Sequence, residues 1–190
     1  MTQLLHTERL RLRPCRTDDL DSLHELWTET DVRRFLFDDR AISCEEARSF
    51  VAASKASFAD DGYGLWLFFE DQSNLIAGFV GLLHSNEGPP SLIFGTRPQL
   101  WGRGYAVEAA RAVLRYACDV LGLRRVVADV DEPNAASIRV LERLGMTRTR
   151  RAIVNGRPLL YYETDATTTG SSDHSSPRAP ATDDGARARR

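Results

Sequence analysis

Polar and apolar residues are arranged along this chain in two different periods, and each period predicts one type of secondary structure. Strict alternation, as in residues 9–13 where Leu10 and Leu12 lie between arginines, is typical of a strand with one buried face. Apolar residues at helical spacing, as in residues 105–121, predict an amphipathic helix that ends at Gly122. The predicted strands cover residues 7–14, 65–70, 75–84, 91–96, 124–131, 147–154 and 159–164, and the predicted helices cover residues 17–27, 43–58, 105–121 and 135–144.

The order of these elements predicts the class of fold. The strand at 91–96, the helix at 105–121 and the strand at 124–131 form a strand–helix–strand unit, which requires a parallel or crossover pairing. The other strands follow one another through shorter connections, such as the Asn155-Gly156 turn, and these favour antiparallel pairing. We predict an α/β (α+β) domain over residues 1–164, with a mixed, mainly antiparallel central sheet flanked by helices.

Two segments lie outside this regular pattern. Residues 29–41 mix acidic and aromatic side chains without a clear period. We predict a connecting loop with a few residues packed inward, and the alternative is a mobile flap over a substrate amine. Residues 165–190 are rich in Ser, Thr, Pro, Gly and Ala and contain no Phe, Trp or Tyr, which predicts a disordered tail.

Composition narrows the classes of function. The 190 residues are 42% hydrophobic and 27% charged with a net charge of −2, and Lys and Arg form no dense cluster, so we expect no nucleic-acid partner. Cys15, Cys44 and Cys118 are odd in number and far apart, which argues against a disulfide framework and suits a reducing cytosol. We find no signal peptide, membrane-spanning stretch or metal-binding motif, and we predict a cytoplasmic protein without a metal.

The stretch Trp101-Gly102-Arg103-Gly104-Tyr105-Ala106 lies between a predicted strand and a long predicted helix. Its glycines allow a tight turn, and the first turn of a helix directs free N–H groups and the positive end of the helix dipole toward a site that favours phosphate. The stretch is not a dinucleotide fingerprint, because Val107 holds the third glycine position, and it is not a P-loop, because Gly-Lys-Ser/Thr is absent. It therefore predicts a phosphate site of another kind, unless the glycines serve only the turn.

Two linked motifs in the sequence are more specific than the glycine turn alone. The first is residues 101–106 with Glu108 and the helix that follows. The second is Asp131-Glu132-Pro133-Asn134-Ala135-Ala136-Ser137 with Leu141-Glu142-Arg143-Leu144-Gly145-Met146. Together they resemble the GCN5-related N-acetyltransferases, and within that superfamily the branch that contains the ribosomal-protein alanine acetyltransferases. The opening Thr7-Glu8-Arg9-Leu10-Arg11-Leu12-Arg13-Pro14 is similar to the same branch, and the resemblance spans residues 7–164.

The resemblance implies a binding site for acetyl-coenzyme A between two splayed central strands. The pyrophosphate would lie on the backbone amides of the glycine turn, and the strand at 91–96 would pair with the pantetheine arm. Trp101 stands where many members carry Gln or Arg, although Trp is common in the ribosomal-protein branch. The implied cofactor-binding residues are Phe94, Thr96, Trp101, Gly102, Arg103, Gly104, Tyr105, Ala106, Asn134 and Ser137.

Acyl transfer to an amine requires a deprotonated amine, a stabilised oxyanion and a proton for the leaving thiolate. By resemblance, Ser137 lies near the thioester sulfur and donates that proton, since Leu141 occupies the position where many members place a tyrosine. A backbone N–H near Thr96 is the implied oxyanion donor. Asp129 and Glu108 are the two candidate general bases, and a chain of water molecules is the third option.

We therefore predict an N-acetyltransferase that moves an acetyl group from acetyl-coenzyme A directly to a primary amine, on a protein N-terminus or a small molecule. The alternative is a non-catalytic acyl-coenzyme A-binding sensor, which needs no tyrosine acid, and a nucleotide-binding fragment is a weaker hypothesis. The acidic and aromatic content of residues 29–41 and the Asn155 turn suits a cationic acceptor. We expect a monomer or a homodimer.

Overall fold

A computed structural model describes residues 3–85 and 88–165 of the chain. The predicted disordered tail lies outside the described residues except for its first residue, Asp165, which ends the last strand. The strands are β1 Leu5–His6, β2 Leu10–Pro14, β3 Leu65–Glu70, β4 Gly78–Leu83, β5 Ser91–Thr96, β6 Arg125–Asp131, β7 Thr147–Val154 and β8 Arg157–Asp165. The helices are α1 Leu20–Thr28, α2 Thr30–Leu36, α3 Cys44–Asp60, α4 Tyr105–Asp119 and α5 Ala135–Arg143.

The strands form one sheet in the order β1-β2-β3-β4-β5-β6-β8-β7. All neighbouring strands pair antiparallel except β5 and β6, which are parallel and are connected through α4. This topology confirms the predicted mixed, mainly antiparallel sheet. Between β7 and β8, Asn155 and Gly156 both have positive φ, as a tight hairpin turn requires.

Helices cover both faces of the sheet. One face packs against α4 and α5, whose apolar sides include Val113 and Leu141, and the other packs against α1, α2 and α3. Because both faces are covered, the first five residues of β3 are all buried and do not alternate. The central strands therefore lie between two sets of helices.

The structure corrects the predicted loop at residues 29–41, because Thr30–Leu36 forms helix α2. Val32 is buried and Leu36 packs beside it in the cluster beneath α1 and α3, so burial of one helix face stabilises this short helix. The predicted first strand is also shorter than expected. Residues 7–9 form a turn in which Thr7 Oγ1 accepts a hydrogen bond from the Leu10 backbone N–H at 3.0 Å.

The two central parallel strands separate along their length. Within the described residues, β5 and β6 share one register pair, Ser91 with Val127, near their amino-terminal ends. The Val127 N–H donates to the Pro90 carbonyl oxygen at 3.0 Å, and no further ladder connects the two strands toward their carboxyl ends in the described part of the chain. This confirms the predicted splayed strand pair and leaves backbone groups of both strands free at the opening.

Candidate active site

The amino-terminal ends of helices α4 and α5 lie at the opening between β5 and β6. In parallel strands the carboxyl ends lie at the same edge of the sheet, and here β5 leads into α4 while β6 leads into α5. Ligands of α/β proteins commonly bind at such an edge, because free N–H groups at the helix starts favour anions there. Most of the sequence-predicted site residues therefore lie on β5 and the start of α4 or on β6 and the start of α5.

The turn before α4 has the geometry that an anion site requires. Gly102 and Gly104 have φ values of 77° and 81°, in the left-handed region. Among the described residues, none of the backbone N–H groups from 102 to 107 has a hydrogen-bond acceptor. A Cβ atom built on Gly102 meets nothing within 4 Å, and one built on Gly104 has a single neighbour, Arg9 Nη2 at 3.6 Å. The space beside the two glycines of the turn is therefore open.

Side chains from distant parts of the chain hold this turn in place. The Trp101 indole N–H donates to the Thr96 carbonyl oxygen at 2.7 Å, and Arg9 Nη1 donates to the Arg103 carbonyl oxygen at 3.0 Å. Glu70 accepts hydrogen bonds from the Tyr105 hydroxyl at 2.6 Å and from Arg103 Nη1 at 3.3 Å. These four hydrogen bonds hold the turn in one conformation.

The other predicted cofactor residues lie on β5 and in the first turn of α4. Phe94 is half-buried and packs against the core under α4 and α5, and Ala106 is half-buried near the start of α4. Thr96 is buried at the carboxyl end of β5, and its Oγ1 atom has no hydrogen-bond partner among the described residues. A buried hydroxyl without a partner is uncommon and is available to a ligand group.

The start of α5 forms the second side of the cleft. Asn134 caps this helix, since its Oδ1 atom accepts a hydrogen bond from the Ser137 N–H at 3.1 Å. Ser137 is half-buried, and its hydroxyl makes no hydrogen bond to any other described residue. Leu141 is 1% exposed and packs in the core, so it offers no group to a ligand. The capping and ligand-binding interpretations of Asn134 and Ser137 are compatible with this arrangement.

Asp129 lies on the face of β6 opposite to α4. Its neighbours Ala128 and Val130 point into the core beneath α4, so Asp129 points the other way. Solvent reaches the side chain, yet surrounding protein raises the pKa of the carboxyl above its ordinary value by desolvation. No other described residue pairs with this carboxylate, which makes it available to an incoming amine.

Glu108, the second candidate base, lies in a different environment. Its Oε1 atom accepts hydrogen bonds from the Thr7 hydroxyl at 2.6 Å and the Arg9 backbone N–H at 3.0 Å, and its Oε2 atom accepts from Arg9 Nε at 2.7 Å. Burial alone would raise the pKa of this carboxyl, but these hydrogen bonds and the Arg9 charge lower it overall. These contacts favour a role in holding the turn.

An ionic cluster joins the two segments in which the acceptor site was expected. Arg157, beside the Asn155 turn, forms ion pairs with Asp38, in the segment 29–41, and with Asp131 at the end of β6; its Nη2 atom lies 3.0 Å from Asp131 Oδ2. Burial raises the pKa of the Asp131 carboxyl, although Arg157 opposes this shift. Sequence reasoning missed Asp131, Arg157 and Arg9 as site residues, because their partners are distant along the chain.

The family match decides the class of this protein. The acetyltransferase (GNAT) domain model matches residues 9–147, which is most of the described fold. The chain belongs to the GNAT acetyltransferase family. GNAT enzymes use acetyl-coenzyme A and act on amine acceptors, so the chain is an N-acyltransferase, and this agrees with the predicted enzyme over the predicted sensor.

Individual relatives agree with this assignment. The uncharacterized N-acetyltransferase YnaD of Bacillus subtilis is 27% identical over 142 residues, covering 75% of this chain and 81% of YnaD. The spermidine N(1)-acetyltransferase of Escherichia coli is 26% identical over 147 residues, covering 73% of each protein. A solved structure of RimL, a ribosomal L7/L12 alpha-N-protein acetyltransferase in complex with coenzyme A, has the same fold, with a TM-score of 0.74 at 19% identity over 86% of this chain and 98% of RimL. No helix in residues 3–85 and 88–165 is long and apolar enough to span a membrane.

Proposed function

We propose that this GNAT enzyme transfers the acetyl group of acetyl-coenzyme A directly to a cationic primary amine. The observation that carries the proposal is the run of unpartnered backbone N–H groups at residues 102–107, on one side of the cleft between the splayed strands. Ser137 and Asp129 lie on α5 and β6 on the other side of the opening, and neither side chain has a hydrogen-bond partner on another described residue. The cleft thus supplies an anion site, a hydroxyl donor and a carboxylate.

On the donor side, the N–H groups of residues 102–106 bind the pyrophosphate, and the positive end of the α4 dipole favours its charge. The free edge of β5, from Phe94 to Thr96, offers backbone groups to the pantetheine amides, as an added strand would use them. Open space at Gly102 and Gly104 supports this assignment, because a side chain at either glycine would occupy the position of the ligand.

In the reaction, Asp129 accepts the proton from the attacking amine, directly or through one water molecule. The amine nitrogen then forms a bond to the carbonyl carbon of the thioester, and a backbone N–H near Thr96 stabilises the resulting oxyanion. The carbon–sulfur bond breaks, Ser137 passes a proton to the departing thiolate, and a water molecule returns a proton to its hydroxyl. No covalent bond to the enzyme is formed at any step.

The charge around the acceptor side supports a cationic amine. In addition to burial, the negative charges of Asp38 and Asp129 raise the pKa of Asp131, and Arg157 is the cation that pairs with both Asp38 and Asp131. A protonated second amine or a basic side chain on the acceptor would compensate the remaining negative charge. The acceptor class we propose is therefore a polyamine-like molecule or a protein N-terminus with a cationic neighbour.

A panel of primary amines tests this acceptor class. Purified protein is mixed with acetyl-coenzyme A, and free thiol release is measured with spermidine, with a peptide carrying lysine near its N-terminus, and with neutral and acidic peptides of the same length. We expect the cationic amines to give the highest kcat/KM, and this preference should shrink as salt screens the carboxylates. Equal turnover of cationic and acidic amines would contradict the proposed acceptor class.

Ser137→Ala is expected to lower kcat by about tenfold and to leave the KM for acetyl-coenzyme A nearly unchanged. The effect is modest for a general acid because a thiol has a pKa near 8.5 and its thiolate departs without full protonation. The fold should be preserved, since Asn134 and not Ser137 caps α5 and alanine is the better helix former. Steady-state kinetics with a control variant at Ala136, Ala136→Ser, checks the prediction, and an unchanged kcat would remove Ser137 from the mechanism.

A further inference from the structure

Arg9 makes contacts that tie the N-terminal turn to the glycine turn. Its guanidinium donates through Nε to the Glu108 carboxylate at 2.7 Å and through Nη1 to the Arg103 carbonyl oxygen at 3.0 Å, and its Nη2 atom forms an ion pair with the same Glu108 oxygen. Its guanidinium carbon lies 4.8 Å from the centre of the Tyr105 ring. Arg9 and Glu108 are 99 positions apart in sequence, so these contacts exist only in the folded chain.

Some N–H donors of the Arg9 guanidinium are not bonded to the described residues. An arginine side chain has five N–H donors, and its recorded hydrogen bonds use the one on Nε and one of the two on Nη1. Even with one N–H of Nη2 directed at Glu108 in the ion pair, at least one N–H remains on each terminal nitrogen. The Arg9 side chain is 46% exposed, and its Nη2 atom lies 3.6 Å from a Cβ built on Gly104. A positive charge with free donors therefore lies beside the unpartnered N–H groups of the turn.

The charge of Glu108 explains why this arginine is needed. A carboxylate in the first turn of α4 favours the helix dipole, but it also repels a pyrophosphate that binds at the same helix end. The Arg9 ion pair neutralises the carboxylate, and the hydrogen bond to the Arg103 carbonyl oxygen holds that carbonyl away from the ligand. Both effects favour an anion in front of the N–H groups of the turn.

We propose that Arg9 and Glu108 are a positioning pair for the pyrophosphate of the donor. Arg9 orients the turn and adds positive charge at the anion site, and Glu108 holds Arg9 in place without acting as the general base. The inference rests on the proposed acetyl-coenzyme A site. It assigns a role to Arg9, which the sequence did not single out, and a different role to Glu108.

Coenzyme A binding to Arg9→Ala, measured by calorimetry, tests the role of Arg9. We expect the Kd to rise about tenfold, which is the effect of losing a charge-assisted contact. Arg9→Lys should recover part of the affinity, because lysine keeps the positive charge but lacks the planar set of donors of the guanidinium. Arg11→Ala is the matched control, since Arg11 is a half-buried arginine of the same strand region that bonds to a distant turn at Asp71 and Ser73. This variant should bind coenzyme A like the parent. A Kd for Arg9→Ala equal to that of Arg11→Ala would overturn the proposal.

Kinetics of Glu108→Gln separate positioning from base catalysis. A positioning role predicts a KM for acetyl-coenzyme A several-fold higher, with kcat and the acidic limb of the pH–rate profile retained. A fall in kcat of about 10²-fold with loss of that limb is the result for a general base and would overturn the assignment. If the parent protein binds no coenzyme A at all, the proposed donor site fails. If the parent binds it and the Arg9 variants bind equally well, only this inference fails.

Discussion

Gly104→Val is expected to weaken coenzyme A binding by at least about tenfold, since charge-assisted hydrogen bonds each contribute about 1.5–3 kcal/mol. Gly104 has a φ of 81°, which a β-branched residue strongly disfavours, so the turn changes conformation and its N–H groups no longer converge. A side chain that keeps the turn in place would instead fill the space in front of the amides. Calorimetric titration of the parent and the variant with coenzyme A measures the effect.

Gly122→Val provides the matched control. Gly122 follows the other end of α4, has a φ of 67° and has nothing within 4 Å of a built Cβ. Valine at this position therefore introduces similar backbone strain away from the candidate site. Any change in coenzyme A affinity of this variant measures the effect of reduced fold stability without a change in the site. Tight coenzyme A binding by Gly104→Val, with the same affinity as Gly122→Val, would contradict the anion site at residues 102–107.

Asp129→Asn is expected to lower kcat by about 10²–10⁴-fold, the usual contribution of a general base. Asparagine accepts no proton, and the general base is therefore lost. Its shape is nearly that of aspartate, so binding of acetyl-coenzyme A should change little. Asp131→Asn is the comparison variant, because Asp131 lies two residues further along the same face of β6 but is paired with Arg157. A kcat for Asp129→Asn within a few-fold of the parent value would favour the chain of water molecules as the base.

The raised pKa of Asp129 also predicts how its protonation affects activity and stability. The ionised form is the base, so kcat/KM should fall as pH decreases through a pKa above the ordinary value of about 3.9, and this limb should be absent in Asp129→Asn. The folded protein holds the proton more tightly than the unfolded chain does. The stabilising contribution is therefore present at low pH and is lost as pH rises through the raised pKa.

It follows that Asp129→Asn should unfold at a higher temperature than the parent at neutral pH, where the parent carries an unpaired carboxylate. The difference should shrink when both proteins are melted at a pH below the pKa of Asp129. Thermal unfolding at the two pH values checks this, and a variant that is less stable than the parent at neutral pH would contradict the desolvation of Asp129.

Local patterns predicted much of the fold from the sequence. Ser43 and Glu46 form the expected capping box at the start of α3, and Asn134 caps α5 as expected, because both motifs act over three residues. The strand–helix–strand unit across β5, α4 and β6 predicted the one parallel pairing of the described sheet, since its connection allows no hairpin. These features depend on neighbours in sequence and are therefore visible without a structure.

What the sequence did not predict depends on contacts between distant residues. Helix α2 is short and stabilised by Val32 packing under α1 and α3, and its isolated pattern resembles a loop. Glu108 has the residue type and position of a base candidate, yet Thr7 and Arg9, about a hundred residues away, bind both of its oxygens. Which carboxylate is paired and which is free can be decided only once the chain is folded, and that difference separates Glu108 from Asp129.

The central claim is direct acetyl transfer from acetyl-coenzyme A to an amine in the cleft between β5 and β6. Its most direct test incubates the purified protein with acetyl-coenzyme A, with and without spermidine, and follows thiol release together with the masses of protein and amine. We predict thiol release only with the amine, equal to the amount of acetylated amine, with the protein mass unchanged. Thiol release without an amine, together with acetylated protein, would contradict direct transfer. Tight binding of acetyl-coenzyme A without turnover of any amine in the panel would contradict the proposed reaction.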